Sequence, residues 1–440
     1  MSIRRSPSPT VAVIGGGITG VTTAYALARH GHDVTLFERH PYAAMETSYA
    51  NGGQLSASNA EVWNQLSTVG KGIKWMLQPG APLLVNPKPT WHKISWMAEF
   101  LRHIPDYEDN TTATVRLAIE ARKHLFRMAE EENIDFDCVR RGILHVYKTQ
   151  GELEHATQVT ELLRRGGLHR DLVGPDDIRR IEPALKGQFI GGYFTESDFT
   201  GDVHKFTNGL AKACAKNGVT MRMETEIADL RPGADGVKVT YRKAEKGAPA
   251  ETTRFDNIVI CAGVASRKLA AMAGDRVNVY PVKGYSITVH LNTDEDRAAT
   301  PWVSILDDDS KIVTSRLGPD RYRVAGTAEY NGENRDIRDA RIRPLVDWVR
   351  RYHPGLSTRD FQPWTGLRPM MPDMMPRVMP GRQPGVFYNT GHGHLGWTLS
   401  AATAELVAGL VGERAEKLAG AAATPRPARK HANPSFALDG

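Results

Sequence analysis

Apolar positions are ordered most sharply at the start of the chain. Val11-Ala12-Val13-Ile14 is an unbroken apolar run followed by a glycine cluster, and Val21 to Ala28 repeat apolar residues at helical spacing. Gly31 stands where a helix C-cap belongs, and Val34-Thr35-Leu36-Phe37 begins a second apolar run. This pattern predicts strand, turn, helix and parallel strand. Further on, Val115, Leu117, Ile119, Leu125, Phe126 and Met128 predict a helix over 111–133, followed by a strand from Ile143 to Tyr147 and a helix over 151–165. Alternating runs at 188–194, 282–290, 302–306, 311–315 and 321–326 have few helices between them and predict a mainly antiparallel sheet. A helix over 203–217 and strands over 219–223, 236–242 and 256–260 return to the first pattern, and a strand from Val386 to Tyr388, a glycine-rich turn and a helix over 396–412 close it.

The expected fold class is therefore α/β. A doubly wound, Rossmann-like nucleotide domain is assembled from 10–60, 200–275 and 365–415, and a substrate domain built on the antiparallel sheet from 61–199 and 276–364. Residues 420–440, rich in Ala, Pro and Arg, are expected to form a disordered tail.

Composition narrows the function classes. A chain of 440 residues exceeds a small binding module, and 41% hydrophobic residues support a packed core. The net charge of +6 is spread along the chain rather than gathered into a stripe, which argues against nucleic-acid binding. Cys138, Cys214 and Cys261 lie far apart with no metal-type spacing, so neither a disulfide framework nor a metal site is expected, and a reducing, cytoplasmic setting fits. Val11 to Ile14 is too short for the apolar part of a signal peptide, and no apolar stretch is expected to reach the ~18–20 residues of a membrane span.

The chemistry begins in the first turn. Gly15, Gly17 and Gly20 fit G-x-G-x-x-G, with Gly16, Ile18 and Thr19 between them, directly after a strand and at the start of a helix. In that context the glycines allow a tight turn, close approach of a pyrophosphate and close helix–strand packing. Glu38, with Arg39 beside it, ends the second strand, where a carboxylate accepts from a ribose diol and repels a 2′-phosphate. FAD and NAD share this fingerprint. Ala262 and Gly263 end a buried strand, and Gly391, His392, Gly393, His394, Leu395 and Gly396 link a late strand to a helix whose positive end suits negative charge on a reduced flavin. Two such turns nearly 400 residues apart favour an extended FAD.

Five motifs then occur in order. They are the fingerprint, Glu46-Thr47-Ser48-Tyr49-Ala50-Asn51-Gly52-Gly53-Gln54-Leu55-Ser56, Pro281-Val282-Lys283-Gly284-Tyr285-Ser286, Trp364-Thr365-Gly366-Leu367-Arg368-Pro369, and Thr390 to Thr398. Together they resemble the small-subunit type of bacterial D-amino acid dehydrogenase, within the D-amino acid oxidase/glycine oxidase superfamily. The resemblance covers about residues 10–412 and implies non-covalent FAD. It also implies hydride transfer from a D-amino acid to flavin N5, giving an imino acid that hydrolyses to 2-oxo acid and ammonia. Matching positions imply cofactor contacts from Thr47, Ser48, Asn51, Gly53, Gln54, Leu55 and Thr398, and from the backbone of Ile227. Arg368 matches the arginine that binds the substrate carboxylate, a role suited to a planar guanidinium. A structural ion pair is the plainer reading of it. Tyr285 is expected either to cap the same site or to be a core tyrosine, His392 to position the flavin, and His394 to line the pocket, with an ordinary structural role open for each histidine. One departure is visible: Met374-Met375-Pro376 follows Pro372-Asp373 where a glycine is usual.

Within the superfamily, an oxidoreductase for sarcosine, glycine or a D-proline derivative is the alternative, and a flavin-binding redox sensor without turnover is the alternative of another class. The resemblance further implies a quinone-type electron acceptor. Trp63, Trp75, Trp91 and Trp96 lie among Lys71, Lys74, Lys88 and Lys93, with Arg102 beyond. They are expected either to pack over the substrate domain or to make peripheral contact with the inner face of the cell membrane.

Overall fold

Small and β-branched apolar side chains in succession suit a strand covered on both faces. Thr10–Ile14 is such a strand, with Val11, Ala12 and Val13 wholly buried. It lies inside a six-stranded sheet ordered 377–380, 386–390, 257–260, 10–14, 33–37, 220–222. Every pairing in it is parallel except that of the edge strand Arg377–Pro380. Alternation then assigns the faces. Val11 and Val13 join the cluster beneath the helices Ile18–Arg29, Val203–Lys216 and Gly396–Ala423, whereas Ala12 and Ile14 join one beneath a three-stranded antiparallel sheet, 225–233, 236–243 and 250–255. The computed structural model describes residues 8–66, 70, 82–245 and 247–423.

A second, nine-stranded sheet is ordered 361–370, 280–290, 321–330, 312–317, 304–307, 143–147, 191–195, 171–173, with 83–85 also paired to 321–330. Its neighbours are antiparallel apart from 304–307 with 143–147 and 321–330 with 83–85. Helix Asp339–Tyr352 covers its back with Ile342, Leu345, Val346 and Val349, an amphipathic spacing that the sequence reading passed over.

Some expected boundaries move. Helix Tyr107–Glu131 falls in the stretch assigned wholly to the substrate domain, yet it packs Leu125, Met128 and Ala129 into the nucleotide-domain core. Strand Phe361–Met370 crosses the boundary at 364/365 and belongs to the antiparallel sheet. The last helix continues to Ala423, into the expected tail, and 424–440 lie outside the described residues. Contrary to expectation, the segment Gly393–Lys417 is long and apolar enough to cross a membrane by composition. Two-thirds of its apolar window (67%) is buried in the protein, where it packs on the first helix and on Tyr107–Glu131.

The tryptophan-rich stretch divides. Trp96 is buried and donates to the Met370 carbonyl (2.9 Å), and Lys93, also buried, donates to the carbonyls of Asn86 and Lys88. Neither is available to a lipid surface. Trp91 is 79% exposed, while Lys71, Lys74 and Trp75 lie outside the described residues. Met374, at the departure from the family pattern, has φ +63° and is buried beside Trp96 and Phe100. That backbone conformation explains why glycine is usual there.

The tightest constraint is at Gly20, where a Cβ would come within 1.8 Å of the Gly15 carbonyl oxygen. Gly20→Ala must separate the first helix from its strand. The expected loss exceeds the ~1–3 kcal/mol of ordinary overpacking, to be checked by thermal unfolding of the apoprotein.

Candidate functional site

A single cavity of about 1010 Å³ runs from the first glycine turn to the front of the antiparallel sheet. At one end, Gly15 (φ +113°) has no room for a side chain because a Cβ would lie 2.7 Å from the Cys261 carbonyl oxygen. Gly17 differs, since a Cβ there would meet only Ser48 Oγ at 3.5 Å, leaving open space at the helix N-terminus. Glu38 ends its strand buried, accepting from the backbone N–H of Gly16 (2.6 Å) and of His40 (2.9 Å). Arg39 pairs with Glu46 at the rim. Burial pushes the Cys261 thiol up to about 12, so it packs rather than reacts.

The segment 46–56 lies between the two sheets and is tied to both. Ser48 Oγ accepts from Ile18 N–H (3.1 Å) and Asn51 Oδ1 from Gly53 N–H (2.9 Å), while Gln54 donates to Ser304 (2.7 Å). Ser286, Ser315 and Arg323 donate from the antiparallel sheet to the carbonyls of Ala50, Gly52 and Asn51 at 2.8, 2.7 and 3.0 Å. Thr47 donates to the Leu367 carbonyl at 2.8 Å, one residue from Arg368.

Of the expected cofactor residues, Gly15 to Thr19, Glu38, Arg39, Thr47, Ser48, Asn51, Gly53, Gln54, Ile227, Ala262, Gly263, Gly391 to Gly393, Leu395, Gly396 and Thr398 line this cavity. Gly20 and Leu55 do not: Gly20 packs against Gly15, and Leu55 is buried in the nucleotide-domain core. His392 is buried and Nε2–H donates to Thr403 Oγ1 (2.9 Å), whose own hydrogen goes to the Ser400 carbonyl. Burial takes His392 down to about 3, holding it neutral.

Arg368 reaches the cavity across the neighbouring strand. A Cβ on Gly284 would lie 2.2 Å from its Nη1, so the glycine makes room for the guanidinium. Arg368 donates to the Thr327 carbonyl at 3.1 Å, and among the described residues no carboxylate pairs with it. Burial brings it down to about 10, still protonated at neutral pH. His394 stacks on Trp63 (centroids 4.9 Å apart, planes at 18°) and Nε2–H donates to the Asn59 carbonyl at 3.3 Å. Burial first and the nearby Arg368 second take His394 down to about 4.

Tyr285 is not brought to Arg368. Strand alternation turns it to the back of the sheet among Ile287, Val289 and Leu345, where its hydroxyl donates to Glu329 (2.9 Å). The sequence reading also missed residues that the sheet brings forward. Tyr330, Thr327, Lys311, His145 and Glu61 all line the cavity, and none carries a local signal, because long-range strand pairing collects the first four and Glu61 comes from an irregular segment.

These features coincide with what known proteins share. The family model described as FAD dependent oxidoreductase matches residues 10–410. The chain belongs to the FAD-dependent oxidoreductase family. It is 59% identical over 403 residues to a protein named D-amino acid dehydrogenase 3 from Mesorhizobium japonicum, covering 92% of this chain and 97% of the relative. It is 40% identical to D-amino acid dehydrogenase from Paramagnetospirillum magneticum, covering 92% and 95%. Among solved structures, glycine oxidase from Geobacillus kaustophilus aligns with TM-score 0.73 at 21% identity, covering 92% and 95%. L-proline dehydrogenase from P. horikoshii aligns with 0.70 at 16%, covering 93% and 94%. Both structures share the fold of this oxidoreductase.

The residues present fit FAD. The open space at Gly17, the first helix N-terminus and the buried Glu38 suit an ADP moiety, and the second glycine turn at the start of the last helix suits the ring end. Gly17→Ala is expected to leave the apoprotein melting temperature unchanged and to lower the flavin retained after dialysis. Glu38→Ala is expected to lower retention as well, read as the FAD-to-protein absorbance ratio, without shifting substrate preference.

Proposed function

We propose that this oxidoreductase is a D-amino acid dehydrogenase that passes electrons to a quinone-type acceptor. The observation that carries the reading is the half-buried, cavity-facing Arg368, which has no carboxylate partner among the described residues, at the same site as the FAD cradle. A non-catalytic flavin sensor has no use for such a group, because leaving a guanidinium desolvated is costly unless an anion arrives. The 59% identity to a protein of that name supports the substrate class.

When bound, FAD supplies the oxidant that takes the hydride from Cα. The chain supplies placement. Arg368 holds the α-carboxylate, with Thr327 fixing the guanidinium from behind and Gly284 leaving it room. The backbone of Gly391 to Gly396 and the helix that follows present a positive end toward the ring. His392 and His394, kept neutral, add no competing positive charge beside the carboxylate site.

Anaerobic mixing with D- and L-amino acids, sarcosine, glycine and D-proline, followed by flavin absorbance, tests the reading. Rapid bleaching by primary D-amino acids is expected, and bleaching by secondary amines alone would replace the substrate class. Arg368→Ala is expected to keep FAD and lose about 3–5 kcal/mol of transition-state binding, roughly 10²- to 10⁴-fold in kcat/KM.

Membrane contact belongs to the same proposal. Trp91, Ile94 and Leu101 are exposed on helix Trp91–Arg102, with Lys88 and Arg102 nearby, a combination that suits an anionic interface. The holoenzyme is expected to sediment with anionic vesicles at low salt but not at high salt, and to reduce a quinone analogue much faster than oxygen. No vesicle binding together with brisk peroxide formation would mark an oxidase away from the membrane.

A further inference from the structure

Arg368 accounts for one end of the cavity, and a group of opposite sign on another wall has no lysine or arginine partner among the described residues. Glu61 Oε1 accepts from the Tyr107 hydroxyl (2.7 Å) and from Gln65 Nε2 (2.6 Å), both neutral donors, and His155 Nε2 lies 3.4 Å away. Among the described residues no lysine or arginine lies within ion-pair distance of it. Of the other carboxylates on that wall, Asp308 meets Lys311 at 3.0 Å and His145 Nδ1 at 3.7 Å, Asp309 meets Lys148 at 3.8 Å, and Glu152 accepts from the backbone N–H groups of Lys148 (2.8 Å) and Thr149 (3.2 Å) as part of a helix cap.

Several contacts tie Glu61 to the carboxylate site. It precedes Trp63 by two residues, and Trp63 stacks on His394 at 4.9 Å. His394 feels the charge of both Arg368 and Lys311. Lys311, whose side chain is half exposed, is in turn held above the ordinary lysine range by Asp308 first and then by Glu61. All of these side chains line one continuous cavity, so a ligand anchored at Arg368 can extend past the Trp63 indole toward Glu61.

We infer that Glu61 is the side-chain subsite of this enzyme and receives the ammonium or guanidinium group of a basic D-amino acid, whose methylene stem lies along Trp63. The inference rests on the D-amino acid reading above and names the substrate class within it. A carboxylate without a lysine or arginine partner gains most from a cation that arrives with the substrate, and a flat aromatic wall suits both the stem and the charge.

The test compares D-lysine with D-norleucine, which has the same chain length and no terminal charge. With wild-type holoenzyme, kcat/KM for D-lysine is expected to exceed that for D-norleucine at least tenfold, with the difference carried by KM. In Glu61→Gln the ratio is expected to fall toward one, whatever happens to the absolute rates. Equal kcat/KM for the two substrates in the wild type overturns the inference, and so does a Glu61→Gln enzyme that loses both in parallel and keeps the ratio. Should the variant not retain flavin, the wild-type pair decides alone. Bleaching by D-alanine with no advantage for D-lysine overturns this inference only, whereas no bleaching by any D-amino acid overturns the underlying reading too.

Discussion

A half-buried guanidinium without a carboxylate partner is the constraint around which the front of the antiparallel sheet is arranged. Partly withdrawing Arg368 from solvent is unfavourable, and its acceptor among the described residues, the Thr327 carbonyl at 3.1 Å, offsets only part of that. The side chain persists there because the neighbouring strand has a glycine under it. Strands 280–290 and 361–370 pair over ten positions, from Tyr280↔Met370 to Val289↔Phe361, so the side chain cannot relax by separating them. The desolvation that is unfavourable in the free protein is what would favour an anion arriving at this guanidinium.

The same arrangement couples the two sheets. The cofactor cradle and the carboxylate clamp lie on different layers, and neither would face the other without the segment 46–56. Ser286, Ser315 and Arg323 donate into its backbone from one side, and Ser48 accepts from the first helix on the other. Thr47 bonds to the backbone next to Arg368 itself. This polar seam lets a peptide of turns, with strand only at Gln54–Leu55, run between two apolar cores with backbone carbonyls of residues 50–52 bonded. Serine and threonine are small enough to sit between close-packed backbones while supplying a donor or acceptor.

How far the sequence could be read follows from the range of each interaction. The first strand, turn and helix were legible because a strand period, a glycine turn and a helix period follow one another within twenty residues. Arg368 was legible only through its flanking motif. The reason for Gly284 was not, because it depends on a pairing across 82 positions, Gly284↔Gly366 at the centre of that register. Tyr285 stood out as an aromatic hydroxyl next to that glycine, yet alternation sends its side chain to the opposite face, where the hydroxyl donates a hydrogen bond to Glu329. Leu55 was drawn into the cofactor list by its neighbours, although its period-two position turns it to the core. Helix Asp339–Tyr352 had the right apolar spacing, but Pro344 inside it argued locally against a helix.

Strain is distributed in a way that the chemistry explains and local sequence does not. Among the described residues, seven non-glycine positions have positive φ. Two of them, Lys311 (φ +52°) and Thr327 (φ +60°), flank the Ile312↔Gly326 pair on adjacent strands and line the cavity beside Arg368. Such conformations cost of order 1–3 kcal/mol each and persist where surrounding structure imposes them. Here the imposing features are the Arg368 bond to the Thr327 carbonyl and the Lys311–Asp308 pair. Turning Thr327 into the left-handed region brings its carbonyl to the guanidinium, and the same turn in Lys311 sets its ammonium against Asp308 within the cavity. A regular ladder at these positions would leave Arg368 without its acceptor. The unfavourable backbone is thus the means by which the sheet places Arg368's acceptor and Lys311, whereas Met374, whose φ is also positive, is buried beside Trp96 and Phe100 in an apolar cluster.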